Sequence, residues 1–245
     1  MKIAVIGGTG LIGSQVVTLL DAAGHDAVPH SPSTGLDLIT GKGLTEALTG
    51  ADVVVNLTNS PTFDEASPEF FRTTMDNLLT AAAECGVGHA VILSIVGAEL
   101  VPDLVYYQAK VLQEDTLKAG PIPWSIVRAT QFFEFVGAVL SWTTDGGTVR
   151  LPATPIQPMA SADVAAAVAE VCAGAPLNAT RDVAGPEVFT LDELGRVFLA
   201  AKDDERTVVV DPAAGMFAAV KGDAIIAGPG AHLATTTYRE FLAHA

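Results

Sequence analysis

Residues 2–17 read KIAVIGGTGLIGSQVV, an apolar run that leads into a glycine loop and then into a helical segment. The loop carries Gly7, Gly10 and Gly13 in the order G-x-x-G-x-x-G. After a first strand, Gly7 permits a tight turn, Gly10 lets the backbone approach a diphosphate, and Gly13 lets the helix pack closely on the sheet. The helix N-terminus adds N–H donors and a positive dipole end. The stretch therefore predicts a dinucleotide-binding loop; the alternative is a merely compact turn.

Beyond this loop, apolar runs of strand length alternate with longer helical segments through the first half of the chain. Such alternation is typical of a parallel sheet with right-handed helical crossovers. The strands are continuous apolar runs, as expected where helices cover both faces of the sheet. We predict an α/β fold, a Rossmann-type doubly wound parallel sheet with strands at 2–7, 26–30, 51–58, 89–97 and 124–130.

The pattern changes after about Gly137, where residues 146–160 are rich in glycine and proline. Helices are predicted at 161–174, with Ser161 as N-cap, and at 191–201. Strands are predicted at 181–189 and, as the last one, at 206–212. We expect residues 1–136 to form the dinucleotide-binding core and 137–245 a smaller substrate-side portion packed on it in a single structural unit.

Composition excludes several function classes. The net charge is −15 and no basic cluster offsets it, which argues against nucleic-acid binding. The two cysteines and five histidines lie at no ligand spacing, so no metal site is expected. No apolar run approaches the roughly 20 residues of a membrane helix, and the N-terminus lacks a signal-peptide cleavage site. We expect a cytoplasmic protein that does not interact with membranes.

The end of the second strand bears on the choice of dinucleotide. NAD-preferring proteins usually carry an acidic residue there, which grips the ribose hydroxyls. Here residues 29–34 read PHSPST, and His30, Ser31 and Ser33 could donate hydrogen bonds to a 2′-phosphate. This favours NADP, with NAD as the alternative. Asp37 and Leu38 are candidates to flank the adenine, unless they form an ordinary turn.

A tyrosine and a lysine stand four residues apart in LVYYQAKVL, at Tyr106 and Lys110. On a helix this spacing places both side chains on one face. A cation beside the phenol would lower its pKa and make it a better proton-transfer group. The alternative is a solvated helix face without chemistry.

Four stretches together resemble an atypical short-chain dehydrogenase/reductase of the NmrA-like type. They are the glycine motif at 7–13, NLLTAAAECGVGHAVILSIVG at 77–97, YYQAK at 106–110 and IVRATQFFEF at 126–135. The resemblance implies that NAD(P)(H) lies across the carboxyl ends of the strands. It also implies a catalytic set of Ser94, Tyr106 and Lys110, with Asn77 as the accompanying asparagine and Lys110 on the nicotinamide ribose. The candidate cofactor-binding residues are Gly7, Thr9, Gly10, Leu11, Ile12, Gly13, His30, Ser31, Ser33, Asp37, Leu38, Leu57, Thr58, Asn59, Lys110, Ala129, Thr130 and Phe132.

The resulting functional expectation is an NAD(P)H-dependent oxidoreductase that reduces a small hydrophobic carbonyl or quinone, with Tyr106 as proton donor or acceptor. Two alternatives stay open: a non-catalytic NADP(H)-binding redox sensor that regulates a partner, and a nucleotide-dependent epimerase or isomerase. Many non-catalytic NmrA-like proteins have lost the tyrosine, so its retention here favours an enzyme. The expected partners are a small-molecule substrate and, as a homodimer, a second copy of the chain.

Overall fold

The computed structural model describes residues 1–244. Its strands are β1 (Lys2–Ile6), β2 (Asp26–His30), β3 (Val53–Asn56), β4 (His89–Ile95), β5 (Trp124–Ala129), β6 (Thr144–Asp145), β7 (Thr148–Leu151), β8 (Pro155–Ile156), β9 (Ala179–Ala184), β10 (Phe189–Thr190), β11 (Thr207–Val210) and β12 (His232–Leu233). Its α-helices are α1 (Leu11–Ala22), α2 (Leu44–Leu48), α3 (Ser67–Glu84), α4 (Val105–Ala119), α5 (Val136–Trp142), α6 (Ser161–Ala173), α7 (Leu191–Ala201) and α8 (Tyr238–His244).

The central sheet has seven strands in the order β12-β9-β5-β4-β3-β1-β2. Strand β1 pairs in parallel with β2 on one side and with β3 on the other, and β3 pairs in parallel with β4. The chain thus runs from β1 to β2 on one side and then crosses over to β3 on the other side of β1. A ligand crevice forms at such a reversal, outside the carboxyl ends of β1 and β3. This confirms the predicted Rossmann-type doubly wound fold.

Burial explains why these segments form strands and helices. Four successive residues of β1, Ile3 to Ile6, are fully buried. The four residues of β3 are also buried, with at most 3% of any residue exposed. Helix α3 begins with a proline at its second residue and buries one face through Phe71, Met75 and Leu78. Pro29 lies in β2, an edge strand, where a missing N–H costs no ladder hydrogen bond.

The chain divides into two compact units whose segments interleave. The first comprises 1–95, 105–128 and 164–181, and the second 96–104, 129–163 and 182–245. The division at residue 136 stays a prediction. Within the second unit, α7 begins with a capping box between Thr190 and Glu193, and β11, β7 and β6 form a three-stranded sheet.

Several short elements of the second unit escape prediction. Strand β11 is where a last strand was predicted, but β12 and α8 follow it. Two-residue strands such as β10 and β12 have too few residues for any hydrophobic period to be visible. Ser161, the predicted N-cap of α6, is the first residue of that helix, and its hydroxyl donates to the Glu134 carboxylate at 2.5 Å. Within residues 1–244, no helix has both the length and the apolar character required to cross a membrane.

Candidate functional site

The glycine loop has the geometry that its sequence predicts. Gly7 has a left-handed φ of +81°, and a Cβ there would lie 3.0 Å from the backbone of Leu57. A Cβ on Gly13 would lie 2.1 Å from the Gly7 carbonyl oxygen, which no side chain tolerates. Gly8 was not singled out from the sequence, yet its Cβ would lie 2.7 Å from Pro29. The need for a glycine at position 8 follows from the packing of the loop against β2, which the sequence motif does not show.

The first turn of α1 fits an anionic diphosphate. Gly10 is the N-cap, so no side chain caps the helix at this residue, and the first turn contains no acidic residue. The backbone N–H groups of the first helical residues have no intrahelical acceptor and carry the positive end of the helix dipole. Among residues 1–244, a Cβ on Gly10 would approach only the Gly7 oxygen, at 3.3 Å, so its other side is open to a ligand. Thr9 and Leu11 are exposed beside it, whereas Ile12 is buried.

The end of β2 lies directly beside this loop. The His30 carbonyl oxygen accepts hydrogen bonds from Gly7 N at 2.8 Å and Gly8 N at 3.2 Å. The hydroxyls of Ser31 and Ser33 are 2.8 Å apart and bonded to each other. Burial, with a smaller contribution from Lys2, lowers the pKa of His30, so its imidazole is neutral at neutral pH. Its buried Nε2 has no protein partner among the described residues.

Asp37 and Leu38 lie in a turn to which Asn77 of α3 is hydrogen-bonded. The Asp37 carboxylate accepts from Ile39 N at 2.9 Å and from the Thr40 hydroxyl at 2.8 Å, and these bonds lower its pKa. The Asn77 amide nitrogen donates to the carbonyl oxygens of Leu38 and Ile39, both at 2.9 Å. Both of its hydrogens are thereby engaged. The structure does not join this amide to Tyr106, Lys110 or Ser94, and its catalytic role stays a prediction.

Asn59 is brought to Tyr106 by the turn after β3. The buried Asn56 side chain accepts from Thr58 N at 3.0 Å and from the Thr58 hydroxyl at 2.7 Å, which fixes the turn. Leu57 lies against Gly7, and the exposed Asn59 follows. The Tyr106 hydroxyl donates to Asn59 Oδ1 at 2.5 Å. The sequence placed Asn59 among the cofactor residues and gave no signal for this contact.

The Tyr106 ring lies among aromatic side chains. Phe63 meets it edge to face with ring centroids 4.8 Å apart, and Phe71 and Tyr107 follow at 6.2 and 6.4 Å. Burial and the neighbouring Tyr107 raise the pKa of Tyr106, and the Asn59 hydrogen bond opposes this only in part. The expectation that Lys110 lowers this pKa is therefore wrong for the structure described, and Tyr106 is a neutral phenol at neutral pH.

Lys110 is buried, and its ammonium group is engaged elsewhere. It donates to the Leu93 carbonyl oxygen at 2.8 Å and to Gln113 Oε1 through a short hydrogen bond, and it lies 4.8 Å from the centre of the Phe71 ring. Burial lowers the pKa of Lys110 to about 7, against a smaller opposing effect of Glu114. The i, i+4 spacing correctly places Tyr106 and Lys110 on one helix, but the structure does not join them by a hydrogen bond.

Ser94, near the end of β4, faces Glu114, which lies one turn beyond Lys110 on α4 and forms a buried ion pair with Arg128. Its hydroxyl lies beside the Glu114 carboxylate but outside full hydrogen-bond geometry. Arg128 holds that carboxylate through two bonds, at 2.8 and 2.7 Å, and Lys118 adds a third at 3.2 Å. Burial raises the pKa of Glu114, but the hydrogen bonds and the charge of Arg128 outweigh this effect, so the pKa of Glu114 lies below its ordinary value. The catalytic role of Ser94 stays a prediction.

The remaining candidates belong to the second unit. Thr130 N donates to the Val183 carbonyl oxygen at 3.2 Å, and the buried Thr130 hydroxyl has no partner among the described residues. Phe132 pairs with Met159 in an isolated bridge, and Ala129 ends β5. No group of three or more His, Cys, Asp or Glu side chains within residues 1–244 is arranged to hold a metal ion.

Comparisons with known proteins support nucleotide binding at the glycine loop. Residues 7–174 match the family described as NAD(P)H-binding. None of the curated proteins matches the sequence.

Solved structures share the fold at low identity. The NADPH-dependent quinone oxidoreductase QOR2 of Escherichia coli, complexed with NADPH, is 22% identical with a TM-score of 0.67, over 86% of this chain and 78% of that one. MoeE5, in complex with UDP-glucose and NAD, is 18% identical with a TM-score of 0.74, over 99% and 96%. UDP-N-acetylglucosamine 4-epimerase of Bacillus cereus is 18% identical with a TM-score of 0.67, over 88% and 86%.

Proposed function

Since the chain belongs to the NAD(P)H-binding family, as its resemblance to atypical short-chain dehydrogenase/reductases implied, we propose that it is an NAD(P)H-dependent oxidoreductase. It reduces a small hydrophobic carbonyl compound or quinone, and Tyr106 donates the proton. The observation that carries this proposal is a neutral phenol whose O–H is presented as a donor to an sp² oxygen, at 2.5 Å from Asn59 Oδ1.

The chain's own residues hold the cofactor at the glycine loop. The N–H groups at the start of α1 bind its diphosphate, and Gly10 leaves the space for the approach. His30, Ser31 and Ser33 at the end of β2 are neutral donors, which favours a 2′-phosphate over the carboxylate-bound ribose of NAD enzymes. When bound, the nicotinamide supplies the hydride.

Protonation of Tyr106 favours the reductive direction. A phenol of ordinary pKa, about 10, already holds its proton at neutral pH, and burial raises the pKa of Tyr106 further, so it is present as a proton donor rather than a base. As hydride reaches the carbonyl carbon, the oxygen gains charge and takes the phenolic proton. Lys110 is a positioning residue in this scheme, because its bond to the Leu93 carbonyl ties α4 to the end of β4. Ser94 is proposed to orient the carbonyl oxygen.

The surroundings of the phenol favour a flat apolar substrate. The Phe63 ring is 44% exposed and stands edge to face against Tyr106. An exposed aromatic surface of this kind stacks well on a conjugated ring. A quinone or an aromatic ketone is the substrate class that this wall supports best.

The test is NADPH oxidation with a panel of quinones and ketones, comparing wild type with Tyr106→Phe and with the matched neighbour Tyr107→Phe. Loss of the proton donor should lower kcat by about 100-fold or more. Tyr107→Phe should behave as wild type, and all three should bind NADPH equally. Turnover that survives in Tyr106→Phe would remove the proton-donor assignment, and turnover without net NADPH consumption would favour an epimerase.

A second candidate is an NADP(H)-binding regulatory protein. It is favoured by the engagement of one member of the predicted catalytic set, since the Lys110 ammonium is bonded to Leu93 and Gln113. Tight NADPH binding combined with no turnover on the whole panel would support it.

A further inference from the structure

A compact loop, residues 57–66, carries both of the side chains that close on the Tyr106 hydroxyl and ring edge. It connects β3 to α3 and presents Asn59 and Phe63 to the phenol. Its shape is fixed from within. The Ser67 hydroxyl donates to the Thr62 carbonyl oxygen at 2.7 Å, and the Thr62 hydroxyl donates to Asp64 at 2.7 Å. These bonds order the end of the loop next to Phe63, and the Asn56–Thr58 bonds order the turn just before Asn59.

The contact between Asn59 and Tyr106 uses up the only hydrogen that the phenol has. A tyrosine hydroxyl can donate one hydrogen bond, and here the acceptor is the Asn59 amide oxygen. An amide oxygen does not take the proton, so the phenol stays intact. It is also an sp² carbonyl oxygen, the same kind of acceptor as a ketone or quinone.

Resting on the function proposed above, we propose that Asn59 caps the catalytic phenol in the resting protein and that the substrate's carbonyl oxygen displaces its amide oxygen. Asn59 thus marks the subsite for the carbonyl oxygen. Proton donation to the substrate requires that the Tyr106–Asn59 bond break, because one hydrogen cannot serve two acceptors. Asn59 is exposed and Phe63 is 44% exposed, so a ligand can reach the contact from solvent.

The proposal predicts a graded series at one position. Asn59→Ala removes the competing acceptor, and carbonyl ligands should bind about fivefold more tightly, the value of one ordinary hydrogen bond. Asn59→Asp keeps the shape but offers a charged acceptor, which holds the phenolic hydrogen more strongly, and ligands should bind about tenfold more weakly. Glu65→Ala, an exposed change in the same loop, should match wild type.

The first measurement needs no turnover. The chain has three tyrosines, so ¹³Cζ-tyrosine labelling gives three NMR signals, and Tyr106→Phe identifies one. With NADP⁺ bound, benzamide, a flat carbonyl acceptor that is not reduced, is titrated into each variant. The Tyr106 signal should differ among Asn59 variants and move with benzamide, with affinities in the order Ala, Asn, Asp from tight to weak. An unmoved signal, or weaker binding in Asn59→Ala, would overturn the cap.

The second measurement is the KM of a quinone or ketone in the same series. KM should be lowest for Asn59→Ala and highest for Asn59→Asp, and kcat/KM should rise in Asn59→Ala. A fall of kcat/KM in Asn59→Ala would mean that Asn59 supports the reaction and would refute the cap. Absence of turnover in every variant would count against the oxidoreductase, whereas the benzamide series would still decide the role of Asn59.

Discussion

The glycine loop and the phenol of Tyr106 lie in the same unit, but they are held in opposite ways. The loop is fixed by backbone: Gly7 N bonds to the His30 carbonyl oxygen, and a Cβ on Gly13 would lie 2.1 Å from the Gly7 oxygen. The phenol is fixed by side chains, through Asn59 at 2.5 Å and the Phe63 ring at 4.8 Å. A backbone-defined site tolerates no change of shape, whereas a side-chain-defined site can exchange its partners.

The difference matches the two tasks that we propose for these regions. A diphosphate is the constant part of every cofactor molecule, and a rigid cradle of N–H groups serves it best. A proton donor must change its partner during the reaction, and a hydrogen bond to an exposed side chain permits that. Substitutions in the two regions should therefore differ in the size of their effects.

The largest effect is expected for Gly13→Ala. The new methyl group would overlap the Gly7 carbonyl oxygen, and neither the loop nor α1 can move without losing its contacts. We expect a loss of roughly 3 kcal/mol of unfolding free energy, or about 10 °C in Tm. Urea unfolding and thermal melts followed by circular dichroism measure both.

Gly24→Ala is the matched control for this substitution. Gly24 has a φ of +82°, but a Cβ there meets no atom of the described part of the chain within 4 Å. It should lose only about 1 kcal/mol, the cost of a left-handed backbone without a clash. Equal losses at both positions would show that the loop is not sterically defined.

Lys110→Met tests the side-chain region through pH. The pKa of Lys110 is about 7 when folded and 10.5 as the ordinary value, so the unfolded chain binds the proton more tightly. The stability of wild type relative to Lys110→Met should therefore rise with pH through this interval, by about 2 kcal/mol between pH 7.5 and 9.

The Met variant lacks the titrating group, so urea unfolding of both proteins at each pH measures this difference. Its absolute stability is a separate matter, because Leu93 and Gln113 lose their donor. Parallel pH curves for the two proteins would mean that the ammonium titrates normally inside the fold.

The same contrast decides what the sequence could reveal. The roles of Gly7 and Gly13 follow from local sterics, so the motif alone identified them. The spacing of Tyr106 and Lys110 correctly gave a shared helix, but not their partners, since Asn59 lies 47 residues away from Tyr106. One signal was available: the interval of four continues to Glu114 and Lys118, which form an ion pair on the same helix, and Glu114 also pairs with Arg128 on β5.

The partners of Asn77 could not be predicted from the sequence either. The resemblance at residues 77–97 implied that Asn77 accompanies the catalytic set, but an asparagine amide donates to whichever carbonyl oxygens lie nearest. Here those are Leu38 and Ile39, about 40 residues earlier in the chain, at 2.9 Å each. Only tertiary packing sets such a contact.

Gly10→Ala should separate binding from folding within the glycine loop. A Cβ at this position lies 3.3 Å from the Gly7 oxygen, which a small shift accommodates, and φ is −81°. Stability should change little, whereas NADPH affinity should fall about tenfold, or 1.4 kcal/mol, because the methyl group occupies the approach of the diphosphate. Fluorescence titration measures this affinity, and unchanged binding would move the diphosphate away from Gly10.

The smallest effect concerns the aromatic contact that holds the 57–66 loop against the phenol. Phe63 and Tyr106 meet edge to face, but Phe63 is 44% exposed, so the pair should contribute only about 0.5 kcal/mol. A double-mutant cycle of Phe63→Leu and Tyr106→Leu isolates this coupling from the loss of each ring by itself. A coupling near that value means that the loop rests lightly on the phenol and can be displaced by a flat substrate. A coupling above about 2 kcal/mol would make the phenol's surroundings as rigid as the glycine loop and would remove the contrast between the two regions.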